Sequence, residues 1–115
     1  MEEKIIQMIE ENPVALATCT KNGEPHVIAV NFVKVKDDKI LITNNYMEKT
    51  IENLEENNLV SLVVWDNEME GISIEGTAEH LDEGKEYDYI KNIEENKDEP
   101  CNGVIIVTPA SIEEL

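Results

Sequence analysis

The residues in this chain best suited to chemistry lie in one run, TNNYMEKTIENL, residues 43–54. Met47, Ile51 and Leu54 recur at helical spacing, so Lys49 and Thr50 fall in the first turn of an amphipathic helix. A cation at that end opposes the helix macrodipole by about 0.3–1 kcal/mol. A bound anion would reverse the sign, because the first-turn amides are free donors and Lys49 adds charge and Thr50 a hydroxyl. The bland alternative is a solvated lysine on the outer helix face. Elsewhere the chemistry is sparse. His26 and His80 have no HExxH or carboxylate–histidine spacing around them, so no metal site is expected. No Ser-His-Asp or Cys-His unit can be assembled from the sequence, and no catalytic side chain is assigned. Asn31 is a polar residue inside an apolar strand and, if buried, needs a partner.

Charge narrows the partners. The 115 residues hold 26 Asp and Glu against nine Lys and no Arg, a formal charge of −17. That balance opposes the counterion-release binding on which nucleic-acid proteins depend. With no Arg there is no bidentate grip on phosphate, so an anionic ligand must be held by Lys, hydroxyls and backbone N–H groups. No apolar run reaches the roughly 18 residues of a membrane span, and MEEKIIQMIEEN is too acidic for a signal peptide. Cys19 and Cys101 form no CxxC, and both are expected to be reduced thiols in a cytoplasmic protein.

These residues need a frame, and the frame reads as one domain over 1–115. Ile5, Ile6, Met8 and Ile9 mark an N-terminal helix within residues 1–12, ended by Asn12-Pro13. VALATCT, 14–20, is the first strand, and Asn22-Gly23 supplies a hairpin turn. A second strand runs from Pro25 through HVIAVNFVKVK, buried as far as Phe32, before Asp37-Asp38 turns the chain into KILIT. Asn45 and Glu48 resemble a capping box for the helix near 47–57. LVSLVVW and ISIEGTAEH follow, the latter with Ile72, Ile74 and Ala78 on one face and Ser73, Glu75, Thr77 and Glu79 on the other. A charged helix near 82–96 carries Tyr89 and Ile93 one turn apart, and GVIIVTP is the sixth strand. Six short apolar strands joined mostly by hairpins predict a small, mainly β, antiparallel barrel over residues 13–109.

The runs PHVIAVNFVKVKDDKILITN, EKTIENLEENNLVSLVVW and GISIEGTAEH resemble the flavin-binding split barrel of pyridoxamine 5′-phosphate oxidases and small FMN-binding proteins. The resemblance covers Ala15 to Val107, and the length is nearest the small FMN-binding proteins. It implies FMN as cofactor, its phosphate held at Lys49 and Thr50. It also implies that the flavin ring lies along Val27, Ile28, Ala29, Val30 and Asn31, with Ile42 and Thr43 completing the cleft. Asn31 would then meet a flavin edge or, failing that, a neighbouring main chain. Gly71 falls where a second subunit of the family approaches the flavin, or else is simply a glycine opening a strand. A homodimer follows from the resemblance, with a small-molecule or protein redox partner.

Two departures qualify the match. Family members commonly carry a second cation before the helix-start lysine, where this chain has Glu48; weaker FMN binding, a deazaflavin or no cofactor each follow from that. The sequence also ends at ASIEEL, without the segment that carries substrate-binding Arg and His in true pyridoxamine phosphate oxidases, so that activity is not expected. The expected function is a redox flavoprotein, in electron transfer or reduction. The other reading is a non-catalytic split-barrel module that binds a ligand or partner.

Overall fold

The computed structural model describes all residues, Met1–Leu115. Helix α1 (Glu3–Glu11) ends where Asn12 turns extended ahead of Pro13, and Asn12 Nδ2 donates back to the carbonyl of Met8 at 3.0 Å. Strands β1 (Val14–Cys19), β2 (Pro25–Val30), β3 (Val33–Lys36) and β4 (Lys39–Thr43) precede helix α2 (Glu48–Glu56). Strands β5 (Leu59–Trp65) and β6 (Gly71–Leu81) follow, then helix α3 (Lys85–Lys91), a 3₁₀ turn at Glu94–Asn96, and β7 (Val104–Glu114).

The strands form one antiparallel sheet in the order β2-β1-β5-β6-β7-β4-β3. Its two outer strands, β2 and β3, are consecutive in the chain, so the sheet curls until Asn31 and Phe32 bridge its ends. This is a split barrel. Alternation decides what enters it: Val14 and Leu16 of β1, Leu62 and Val64 of β5 and Ile72 and Ile74 of β6 point inward and are buried. Ile9 of α1 and Leu54 of α2 join the same core and cover the barrel's open parts. Each such side chain contributes about 1.5–3 kcal/mol of burial.

Five expectations are corrected. The barrel has seven strands, not six, because PHVIAVNFVKVK breaks at Phe32, whose φ of 58° is left-handed backbone that no strand continues through. Its first half is an edge strand paired only with β1, and Val27 is 64% exposed rather than buried. The last strand does not stop near residue 109 but runs to Glu114, pairing with β6 from Leu81↔Val104 to Ile72↔Glu114. A bulge between Glu75 and Gly76 lies opposite Pro109, where a missing N–H is tolerated. The helix expected over 82–96 is split into α3 and the 3₁₀ turn. Ile90 is its buried residue, while Tyr89 lies outside beneath Lys36 Nζ, 4.2 Å from the ring centre. The capping box does not form: Met47 is the N-cap of α2, and Asn45 Nδ2 donates to Pro100 O at 2.7 Å.

Candidate functional site

Strand β4 delivers the chain to the amino terminus of α2. Ile42 and Thr43 end the strand fully buried, and Thr43 pairs with Val104 of β7, which pairs in turn with Leu81 of β6. Thr43 spends its hydroxyl internally, donating to Phe32 O at 3.4 Å and accepting from buried Asn96 Nδ2 at 2.8 Å. Asn96 is held in that orientation by a second bond, to Ile90 O at 2.8 Å, which leaves its Oδ1 buried and without a partner.

Asn44 is the hinge of the site. Its Oδ1 accepts from the Met47 amide at 3.0 Å, and its Nδ2 lies 3.0 Å from His80 Nε2. Its backbone N–H donates to Gly103 O at 2.9 Å, and its carbonyl accepts from the Asn102 amide at 2.8 Å. Every polar group of a residue only 6% exposed is therefore engaged. Asn44 supplies the cap that the sequence suggests for Asn45, and it acts on the N-cap residue. Beyond it the helix begins: the Ile51 amide donates to Met47 O, so the amides of Glu48, Lys49 and Thr50 lack intrahelical acceptors.

Beside this first turn lies an open groove of about 690 Å³ lined by Asn44, Tyr46, Met47, Glu48, Lys49, Ile51 and Asn102. The volume is that of a small-molecule site. Lys49 is exposed on it and forms no ion pair within the chain. Thr50, by contrast, is 1% exposed and turned beneath the helix, so of the expected pair only Lys49 presents its side chain. Glu48 is also exposed on the same turn.

The remaining expected residues do not converge on this groove within one chain. Val27, Ala29 and Asn31 are exposed, while Ile28 and Val30 turn inward. Because Asn31 is exposed, solvent satisfies it, and no internal partner is required. Ala29, Val30 and Asn31 line a separate hollow of about 350 Å³ beneath the end of α1. The link to α2 runs through β1. Asn53 of α2 donates to Thr18, and Thr18 pairs with His26, so the first half of β2 lies one strand from the helix. Gly71 opens β6 at the end opposite Leu81, and a Cβ there would collide with Val64 O of β5. Glycine at position 71 is thus required by strand packing alone.

Three residues of the site carry no signal that a search for motifs would register. Asn44 and Asn102 are turn asparagines in the sequence, and His80 is a histidine without metal spacing. Burial holds His80 below the usual imidazole range, against Asp82 and Glu55, which favour its cation. The structure gathers no trio of His, Cys, Asp or Glu side chains positioned to hold a metal ion.

The family model for pyridoxamine 5′-phosphate oxidase matches residues 1–115, the whole chain. The chain belongs to the pyridoxamine 5′-phosphate oxidase family. Among proteins of similar sequence, an uncharacterized protein of Methanocaldococcus jannaschii is 35% identical over 98 residues, which is 83% of this chain and 64% of that protein. The chain therefore spans just under two thirds of that relative's length. Among solved structures, HupZ of Group A Streptococcus superposes with a TM-score of 0.90 at 22% identity, over 100% of this chain and 94% of its own. An FMN-binding protein of Syntrophomonas wolfei superposes with a TM-score of 0.82 at 22% identity, over 98% and 84%. These likenesses establish the family's split-barrel fold for this chain. The free helix amides and the unpaired Lys49 are groups that can hold a phosphate, while Glu48 in the same lining opposes it.

Proposed function

We propose that this family member is an FMN-binding redox flavoprotein, active in electron transfer or as a reductase. One observation carries the reading: an exposed, unpaired Lys49 stands at a helix terminus whose first-turn amides are free, over an open groove, in a chain of charge −17. The phosphate would take Lys49 Nζ and the amides of the first turn of α2, with the macrodipole adding to the attraction. The ring would lie along the backbone of Val27, Ile28, Ala29, Val30 and Asn31, while Ile42 and Thr43, both fully buried, would support the site from inside the barrel. When bound, the flavin supplies the redox chemistry, while the chain binds, orients and shields it. No side chain needs to act as acid or base.

A second copy of the chain is part of the proposal. The outer face of β2, β1 and β5 is apolar and uncovered: Val27 and Ala29 stand beside Ala17 and Ala15, and Val63 lies beyond Ala15. Small residues on a flat face let another sheet approach closely, and such a homodimer should bury more than about 1,000 Å² in total. It would also allow Gly71 of the second subunit to approach the flavin, which Gly71 of the same subunit is badly placed to do. Cys19 and Cys101 are unpaired, as suits a reducing cytoplasmic compartment. The electron partner is a small molecule or a protein.

Glu48 beside Lys49 and the burial of Thr50 favour one competing reading, a split-barrel module that binds a ligand without redox turnover. The absorption spectrum of the purified protein, with mass spectrometry of any released chromophore, separates the two. A flavin spectrum and the mass of FMN support the proposal. A deazaflavin mass would replace the cofactor, and a colourless protein that refuses added FMN would favour the binding module.

A further inference from the structure

The bonds around Asn44 cannot all survive a change of charge at His80. Asn44 Oδ1 is committed to the Met47 amide, a fixed donor, which turns Nδ2 toward His80 Nε2. For that contact to be a hydrogen bond, Nε2 must be the acceptor, so the ring is neutral with its proton on Nδ1. Protonation at Nε2 would set two donors against each other at 3.0 Å. Rotating the Asn44 amide by half a turn would not help, because it moves the clash to the Met47 N–H. Asn44 is tied through its backbone to Asn102 and Gly103, and the imidazole fills the space where a Cβ on Gly103 would stand.

We propose that Asn44 and His80 form a proton-sensitive positioning pair: with His80 neutral, Asn44 caps Met47 and holds the amino terminus of α2 ready for an anion, and with His80 protonated the cap is released. The ionisable groups around the ring set the threshold. Asp82, on the turn after β6, and Glu55, on α2, both favour the cation, while burial opposes it. The β7 side presents Ile105 and Gly103, with Cys101 Sγ behind them, 3.5 Å from Gly103 O. An added positive charge near the groove would, by itself, strengthen anion binding, which is the opposite sign. The direction of the effect therefore discriminates between the two. The consequence for FMN rests on the phosphate site proposed above, whereas the coupling of His80 to Met47 does not.

The test follows the His80 ring and the Met47 amide by NMR in the ligand-free 115-residue chain across the imidazole titration. FMN and riboflavin affinities are measured alongside at about pH 7.5 and about pH 5.5 for the parent, His80→Gln and Asn44→Asp. The glutamine variant retains a neutral acceptor beside Asn44, and the aspartate variant keeps the cap oxygen while welcoming a protonated imidazole. In the parent, the Met47 amide resonance should move with the same midpoint as the ring. FMN should weaken at the lower pH by about fivefold or more relative to His80→Gln. Asn44→Asp should raise the His80 midpoint. A Met47 resonance that stays still while the ring titrates overturns the pair, as does FMN binding that tightens on protonation. If Met47 follows the ring but FMN binds no better than riboflavin at either pH, the pair stands and the phosphate site fails.

Discussion

Asn53 Nδ2 of α2 donates to Thr18 Oγ1 of β1 at 3.0 Å, with both side chains buried. The bond fixes α2 on the sheet one helical turn beyond Lys49, so it sets where the candidate groove lies. Thr18→Val keeps the volume but strands the Asn53 amide, which should cost about 1–3 kcal/mol in urea unfolding. Asn53→Leu should cost a similar amount. The double variant should cost clearly less than the sum of the two, because neither group is then left unpaired. Strictly additive losses would show that the two residues act independently.

Assembly can be tested on the outer sheet face. Val27, 64% exposed on the edge strand, stands beside Ala17 in the middle of the apolar patch. Val27→Asp should leave the fold intact, as the side chain packs against nothing inside the barrel, but should convert a dimer to a monomer in sedimentation at micromolar concentration. A parent that sediments as a monomer would remove both the dimer and the shared flavin site.

The depressed His80 also makes a prediction about stability. The unfolded chain binds its imidazole proton near pH 6.5, above the point at which the folded chain does, so between those two values the unfolded state holds more protons. Stability from this group is accordingly full above about pH 6.5 and declines as pH falls through the folded value. His80→Gln should flatten that part of the denaturation profile, leaving the carboxylates to act at lower pH. Identical slopes for parent and variant down to about pH 5 would mean that His80 titrates normally.

Periodicity makes most of the fold legible. Val14, Leu16 and Thr18 alternate inward as a strand should, and Met47, Ile51 and Leu54 pack against the core from one face of α2. The misreadings share a cause, which is that local pattern cannot see tertiary pairing. Nothing in VNFV announces a left-handed Phe32, and ASIEEL reads as a tail because only its pairing with β6 makes it a strand. At the site, Lys49 stands out because its charge is misplaced for a helix start. Thr50 is adjacent and of the right type, yet its position in the helical repeat turns it inward. Asn44 and His80 are 36 residues apart and meet only through the β4–β7–β6 pairing.

The phosphate is the part of FMN that riboflavin lacks, and Lys49 is the side chain placed to meet it. Parallel titration of the parent, Lys49→Ala and Glu48→Arg with both flavins at low and moderate salt isolates that contact. The parent should prefer FMN, Lys49→Ala should lose most of the preference while riboflavin binding is unchanged, and Glu48→Arg should raise FMN affinity by about fivefold, an increase that salt diminishes. If all three proteins remain folded and bind FMN and riboflavin alike, Lys49 is a solvated lysine and the groove at α2 is not a phosphate site.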